Sequence, residues 1–113
     1  MHELSIALNI VEIAEENAKQ SNVNLITEIE LVVGELSGVV YEALEFAMEE
    51  AVKNTILEKA KRTIIRISGK AKCTSCSHEF DVKDIYTACP KCKSFINEII
   101  QGNELRVESL IAE

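Results

Sequence analysis

The chain contains few aromatic residues, prolines and glycines. Its 113 residues contain no tryptophan, one proline and four glycines, and aromatic residues make up 4%. The core must therefore be built from aliphatic side chains. No apolar run reaches the ~18 residues that a membrane-spanning helix needs. Glu12, Glu15 and Glu16 interrupt the first apolar stretch, so we predict neither a membrane span nor a secretory signal and expect a cytoplasmic protein.

Positive charge is also scarce. Twelve Lys and Arg residues face nineteen Asp and Glu residues, which gives a formal net charge of −7. Nucleic-acid-binding proteins usually carry a basic patch, so this balance argues against a nucleic-acid partner. The charge is uneven, because residues 70–101 sum to +1 and the rest of the chain sums to −8.

The periodicity of the apolar residues predicts two helices and three strands. Residues 4–20 and 40–53 have helical spacing, and Ser37 is a candidate cap for the second helix. The strands are predicted at 25–33, 61–68 and 104–111. The predicted buried residues of the first helix are Leu4, Ala7, Leu8, Val11, Ala14 and Ala18, and those of the second are Leu44, Ala47, Met48 and Ala51.

These elements predict an α+β fold, with two helices on one face of a three-stranded sheet and a four-cysteine zinc-binding module inserted before the last strand. We expect one domain from residues 1–69 plus 102–113 and a second, zinc-binding domain at 70–101. The two strands that flank the module could pair antiparallel if the module returns the chain close to where it left.

The module contains four cysteines in the stretch "CTSCSHEFDVKDIYTACPKC", a C-x2-C-x12-C-x2-C pattern. Two such turns can place four thiolates in a tetrahedron, which is the usual structural zinc site. Iron in a rubredoxin-like site is the main alternative, and a thioredoxin-like redox pair is a weaker one. His78 is either a surface loop residue or a group that donates to a thiolate or exchanges with one as the pH falls. The predicted ligands are Cys73, Cys76, Cys89 and Cys92.

The chain starts with "MHELS", which places a histidine beside the terminal amine. The Met1 amine, the His2 amide and the His2 imidazole could chelate one metal, and the Glu3 amide could complete a square. Ni²⁺ and Cu²⁺ suit such planar nitrogen sites. The first N–H groups of a helix lack intrahelical partners, which leaves these amides available. The Glu3 carboxylate could be an axial ligand, a proton acceptor or merely a favourable charge at the helix N-terminus. The alternative to a chelate is a simple exposed tail.

Four stretches together resemble the HypA/HybF family of nickel-insertion accessory proteins for [NiFe]-hydrogenase. They are "MHELS", "VGELSGV", the cysteine module with "CPKC", and "GNELRVESL", and they span the chain in order. Ser77 stands where relatives often have glycine, and the proline common before the module is missing.

The resemblance implies a nickel metallochaperone and not an enzyme. It implies nickel binding at His2 with backbone nitrogens of the first residues, a role for Glu3 in nickel delivery or site geometry, and structural zinc in the cysteine module. The implied partners are a nickel-handling GTPase, the hydrogenase large-subunit precursor and, in some members, urease proteins, and members occur as monomers or dimers. The alternative functions are a zinc-ribbon adaptor for protein or nucleic acid, and a rubredoxin-like electron carrier.

Overall fold

The computed structural model describes residues 3–84 and 86–113, and these form an elongated molecule 54 Å in its longest dimension. Neither helix in these ranges has the length and apolar character needed to cross a membrane. The secondary structure elements are α1 (Glu3–Gln20), β1 (Ile26–Gly34), α2 (Tyr41–Ala51), β2 (Lys61–Ile67), β3 (Gly69–Cys73), β4 (Glu79–Val82), β5 (Asn97–Gln101) and β6 (Leu105–Ala112).

The three predicted strands form one sheet in the order β2-β1-β6, with both helices against one face. Strand β1 is central; it pairs parallel with β2 and antiparallel with β6. The α+β prediction is therefore confirmed. The suggestion that β2 and β6 pair with each other is wrong, because β1 lies between them. The parallel pairing follows from α2, which carries the chain back across the sheet between β1 and β2.

Helix α1 packs through small side chains. Ala7, Ala14 and Ala18 are buried at helical spacing and allow close approach to the sheet and to α2. Two predicted core residues are corrected, because Leu4 and Leu8 are 53% and 52% exposed. Ile10 is buried instead, so the buried stripe is rotated from the predicted one toward Ile10 and Val11.

Helix α2 buries the four residues that the sequence predicted, Leu44, Ala47, Met48 and Ala51. Its N-cap is Val40, which provides no side-chain cap. The predicted cap Ser37 lies before the helix, and its hydroxyl accepts a hydrogen bond from the Val39 N–H at 3.3 Å. The chain after α2 forms consecutive turns that bury Leu57.

The cysteine module has a sheet of its own, which the sequence analysis did not predict. Its strand order is β4-β3-β5, and both pairings are antiparallel. A separate small core supports this sheet, with Leu36 and Ile99 packed against it. Its buried members are Ala71, Cys73, Phe80, Val82 and Cys89.

Three glycines join the two sheets at a close backbone contact. A Cβ on Gly34 would lie 1.9 Å from the Gly102 carbonyl oxygen, and one on Gly69 would lie 2.4 Å from the Val82 oxygen. The Leu36 N–H donates to the Gly102 carbonyl at 2.7 Å, which places the Leu36 side chain against the smaller core. The junction therefore requires residues without side chains on both sides.

Candidate metal centres

The two C-x2-C segments fold into turns of the same geometry. In the first, the Cys73 N–H donates to the His78 carbonyl at 2.9 Å, and the Ser77 N–H donates to the Cys73 carbonyl at 2.9 Å. In the second, the Cys89 N–H donates to the Ser94 carbonyl and the Lys93 N–H to the Cys89 carbonyl, both at 2.8 Å. Each turn therefore holds its two cysteines through the same pair of backbone hydrogen bonds.

These turns bring the four sulfurs to one point. All four cysteines are free thiols, and their Sγ atoms lie within 4.8 Å of one another. The Sγ atoms of Cys73 and Cys92 are 3.4 Å apart, and those of Cys76 and Cys89 are 3.6 Å apart. Four sulfurs at ~2.3 Å from one Zn²⁺ lie about 3.8 Å from each other in a tetrahedron. The donor set and its spacing therefore fit a tetrahedral metal ion.

The thiols share their protons unequally. The Cys76 N–H lowers the pKa of Cys73 to about 6, against the opposing effect of burial. Burial raises the pKa of Cys89, but hydrogen bonds from the N–H groups of Cys92 and Lys91 and from neighbouring thiols together lower it by more, so the net shift is downward. The Ser94 N–H lowers the pKa of Cys92, yet neighbouring thiols, Cys73 first, raise it to about 12. The lowered pKa values favour the thiolate at Cys73 and Cys89, the raised pKa disfavours it at Cys92, and a bound cation would favour the thiolate in all four.

His78 lies beside this centre and is half-buried. Its ring stacks on Phe80 with the ring centroids 6.0 Å apart, and its carbonyl closes the first turn. The imidazole therefore packs on the edge of the smaller core.

The second predicted centre falls at the start of the chain. Met1 and His2 lie outside the described residues, so of this predicted site the structure describes Glu3. This residue is half-buried and begins α1, and its carboxylate Oε2 accepts a hydrogen bond from the Val40 N–H at 3.3 Å. Glu3 therefore links the start of α1 to the N-terminus of α2, a contact that sequence spacing could not have revealed.

Comparison with known proteins identifies the family of this chain. The family model described as "Hydrogenase/urease nickel incorporation, metallochaperone, hypA" matches residues 1–112. The chain belongs to the HypA family. This confirms the resemblance drawn from the sequence. The match covers both the cysteine module and the N-terminal stretch, including Met1 and His2.

Curated HypA proteins match along nearly their whole length. The hydrogenase maturation factor HypA of Parabacteroides distasonis is 42% identical over 111 residues, covering 98% of this chain and 96% of that protein. The hydrogenase maturation factor HypA of Geobacter metallireducens is 42% identical over 113 residues, covering all of both chains.

Solved HypA structures share the fold. The solution structure of the Ni metallochaperone HypA from Helicobacter pylori has a TM-score of 0.69 at 30% identity, covering 99% of this chain and 97% of that one. A second solution structure of a HypA protein has a TM-score of 0.72 at 29% identity and covers 100% and 97%.

Proposed function

We propose that this protein is a nickel metallochaperone for the maturation of [NiFe]-hydrogenase. The observation that carries the proposal is the family match over residues 1–112. The protein's role is to bind and hand over Ni²⁺ and not to catalyse a reaction. Its recipient is the hydrogenase large-subunit precursor, and a GTPase partner supplies the nucleotide hydrolysis.

The nickel centre in this proposal comprises Met1, His2 and Glu3. The His2 imidazole and the backbone nitrogens of the first residues supply planar nitrogen donors that favour Ni²⁺. The contact between Glu3 and Val40 supports a role for Glu3 in holding these residues beside α2. Nickel at a chain end is open to attack by a partner's ligands, which suits transfer.

The cysteine module in this proposal is a structural zinc domain of residues 70–101, and the remaining residues form the nickel-binding domain. The four Sγ atoms within 4.8 Å of one another support a single Zn²⁺ held by Cys73, Cys76, Cys89 and Cys92. When bound, zinc would fix the positions of the four sulfurs and add its binding free energy to the folding of the module. A colourless protein with one equivalent of zinc is expected, whereas an iron–thiolate absorption band in protein purified without added metal would contradict this assignment.

The decisive experiment is a titration of Ni²⁺ into zinc-loaded protein, followed by calorimetry and d–d absorption. The His2→Ala variant should lose the high-affinity site because the imidazole donor is gone. The other histidine provides a matched control, since His78→Ala should bind nickel like the wild type. Equal nickel binding by wild type and His2→Ala would contradict the N-terminal centre.

The role of Glu3 is tested in the same titration with two substitutions. Glu3→Gln keeps an oxygen that can accept the Val40 N–H, and Glu3→Ala removes it. If Glu3 acts through this hydrogen bond, Glu3→Gln should keep most of the affinity and the d–d spectrum, and Glu3→Ala should lose affinity. An altered spectrum in Glu3→Gln would instead indicate that the carboxylate binds the metal.

A further inference from the structure

The proposed function requires one chain to keep two divalent metals apart, zinc in the cysteine module and nickel at the chain start. Thiolates bind both ions, and selection between such metals rests on site geometry more than on raw affinity. Four thiolates around Zn²⁺ form a tetrahedron, whereas Ni²⁺ favours square-planar sites. The contacts that hold the two cysteine turns at a fixed angle therefore bear on which metal the centre accepts.

The two cysteine turns are connected through the residues at the start of β5. On one side, the Thr74 N–H and hydroxyl both donate to the Ile96 carbonyl, at 3.1 and 2.6 Å. On the other side, the Asn97 side-chain NH₂ group donates to the Thr87 carbonyl at 3.1 Å and to the Ser94 carbonyl at 3.4 Å. Thr74 lies in the first turn, and Thr87 and Ser94 lie just before and at the end of the second. This segment therefore binds the first turn and both ends of the second.

The Asn97 side chain is placed to fix the angle between these turns. The Asn97 backbone is paired with Cys73 in the register of β3 and β5, so its amide reaches the second turn from the strand beside the first. The Ser94 carbonyl that this amide binds also accepts the Cys89 N–H at 2.8 Å, the bond that closes the second turn. Asn97 thus donates to the same oxygen that positions a cysteine.

The orientation of the Asn97 amide is set by the two bonds that it donates. Its Oδ1 atom is buried and, among the residues that the structure describes, has no hydrogen-bond partner. A buried acceptor without a partner is unfavourable, and a flipped amide would aim Oδ1 at two carbonyl oxygens. The bonds from Nδ2 to the second turn therefore outweigh an unsatisfied oxygen.

We propose that Asn97 is a positioning residue for metal specificity, which keeps the cargo nickel out of the four-cysteine centre. Moving four sulfurs from a tetrahedron into a square requires one C-x2-C turn to rotate against the other. The Asn97 amide, together with the bonds from Thr74 to Ile96, resists this rotation, so the centre suits Zn²⁺ and not Ni²⁺. The inference rests on the proposed function, in which both metals meet on one chain.

Competition between zinc and nickel tests this role. The parent protein is the zinc-loaded His2→Ala variant, chosen to remove nickel binding at the chain start. It is equilibrated with increasing ratios of Ni²⁺ to Zn²⁺ and desalted. Atomic emission then gives the metal content, and thiolate-to-nickel charge-transfer absorption reports nickel bound to sulfur.

The parent should keep its zinc and show no thiolate-to-nickel absorption. Asn97→Ala and Asn97→Asp, made in the parent, both remove the donating NH₂ group and free the second turn to rotate. The preference of the centre for zinc over nickel should fall roughly tenfold or more, the usual effect of removing groups that orient metal ligands. The nickel that enters should have the d–d spectrum of a square-planar ion.

Two further variants in the same parent give the scale. Gln101→Ala removes another amide of β5, which donates to the Ser68 carbonyl at 2.9 Å at the opposite end of the strand, and should behave like the parent. Thr74→Val removes the hydroxyl bond to Ile96 and keeps the N–H bond, so it should give a smaller shift toward nickel. Because Thr74→Val leaves Asn97 in place, it tests the connection between the turns even if both Asn97 variants fail to fold.

Co²⁺ separates a loss of specificity from a loss of folding, because it accepts a tetrahedral site of four sulfurs. Asn97→Asp should keep the four-thiolate d–d spectrum of Co²⁺ while its affinity for nickel rises relative to that for cobalt. The inference alone is overturned if the Asn97 and Thr74 variants match Gln101→Ala, if the parent takes up nickel as readily as they do, or if cobalt and nickel affinities fall by the same factor. A parent protein without a four-thiolate Co²⁺ spectrum would contradict the proposed zinc centre and this inference together.

Discussion

Ser77 has a backbone conformation that L-residues rarely adopt, with φ of 63°. It closes the first cysteine turn by donating its N–H to the Cys73 carbonyl. A side chain in this left-handed region costs about 1–2 kcal/mol. Glycine avoids that strain but loses roughly 0.5–1 kcal/mol of chain entropy. Ser77→Gly should therefore stabilise the turn by about 0.5–1 kcal/mol, measured by amide hydrogen exchange of the turn in the zinc-loaded protein.

Ser75 provides the control for this substitution. It is exposed in the same turn, and its φ is not positive. Ser75→Gly brings the entropic cost without relief of strain, so it should destabilise the turn by roughly 0.5–1 kcal/mol. If both glycine substitutions shift exchange in the same direction, strain at Ser77 is not the cause.

The sequence predicted the roles of some residues better than those of others. The four cysteines were predictable because C-x2-C spacing leaves few other uses for paired thiols in such a chain. The buried stripe of α1 was predicted less well, since Leu4 and Leu8 are larger than the alanines but lie on the flank. Helical spacing predicts that the helix has an apolar face. Which residues lie at the centre of that face depends on where the neighbouring elements pack.

At the scale of elements, the close contact between β1 and the end of β5 is the most sensitive point of the fold. A Cβ at Gly34 would lie 1.9 Å from the Gly102 carbonyl oxygen, and backbone cannot move aside as a side chain can. Gly34→Ala should therefore destabilise the protein by about 3 kcal/mol or more, measured as the free energy of unfolding in urea.

Ser68→Ala tests the specificity of that effect. Ser68 lies at the same junction but is exposed, so loss of its hydroxyl should change the free energy of unfolding by less than roughly 0.5 kcal/mol. A mild effect of Gly34→Ala, similar to that of Ser68→Ala, would mean that the two sheets can separate at little cost.

The predictability of elements follows from their length and pattern. Both helices and the strands β1, β2 and β6 were predicted within about two residues, because each is seven or more residues long with regular apolar spacing. Strands β3, β4 and β5 have four or five residues. Such short stretches carry too few apolar positions to define a period. Their pairing is instead organised around the cysteine turns.

At the scale of the whole molecule, the described residues form two cores of very different size. The larger one joins α1, α2 and their sheet and contains sixteen buried residues. The smaller one has five, and two of these, Cys73 and Cys89, are candidate metal ligands. A core this small contributes little hydrophobic free energy, so metal binding must supply much of the stability of the module.

Zinc removal should therefore unfold the cysteine module and leave the larger core folded. We expect a strong chelator to abolish slow amide exchange in β3, β4 and β5, because the cysteine turns lose the ion that holds their sulfurs together. Slow exchange in β1 and in both helices should persist, since their core contains no cysteine. Hydrogen exchange read by NMR, with zinc re-addition as the control, distinguishes local from global loss. Equal loss in both sheets would mean that the contacts of Leu36 and Gly102 couple the chain into one cooperative unit, and the two proposed domains would not be independent.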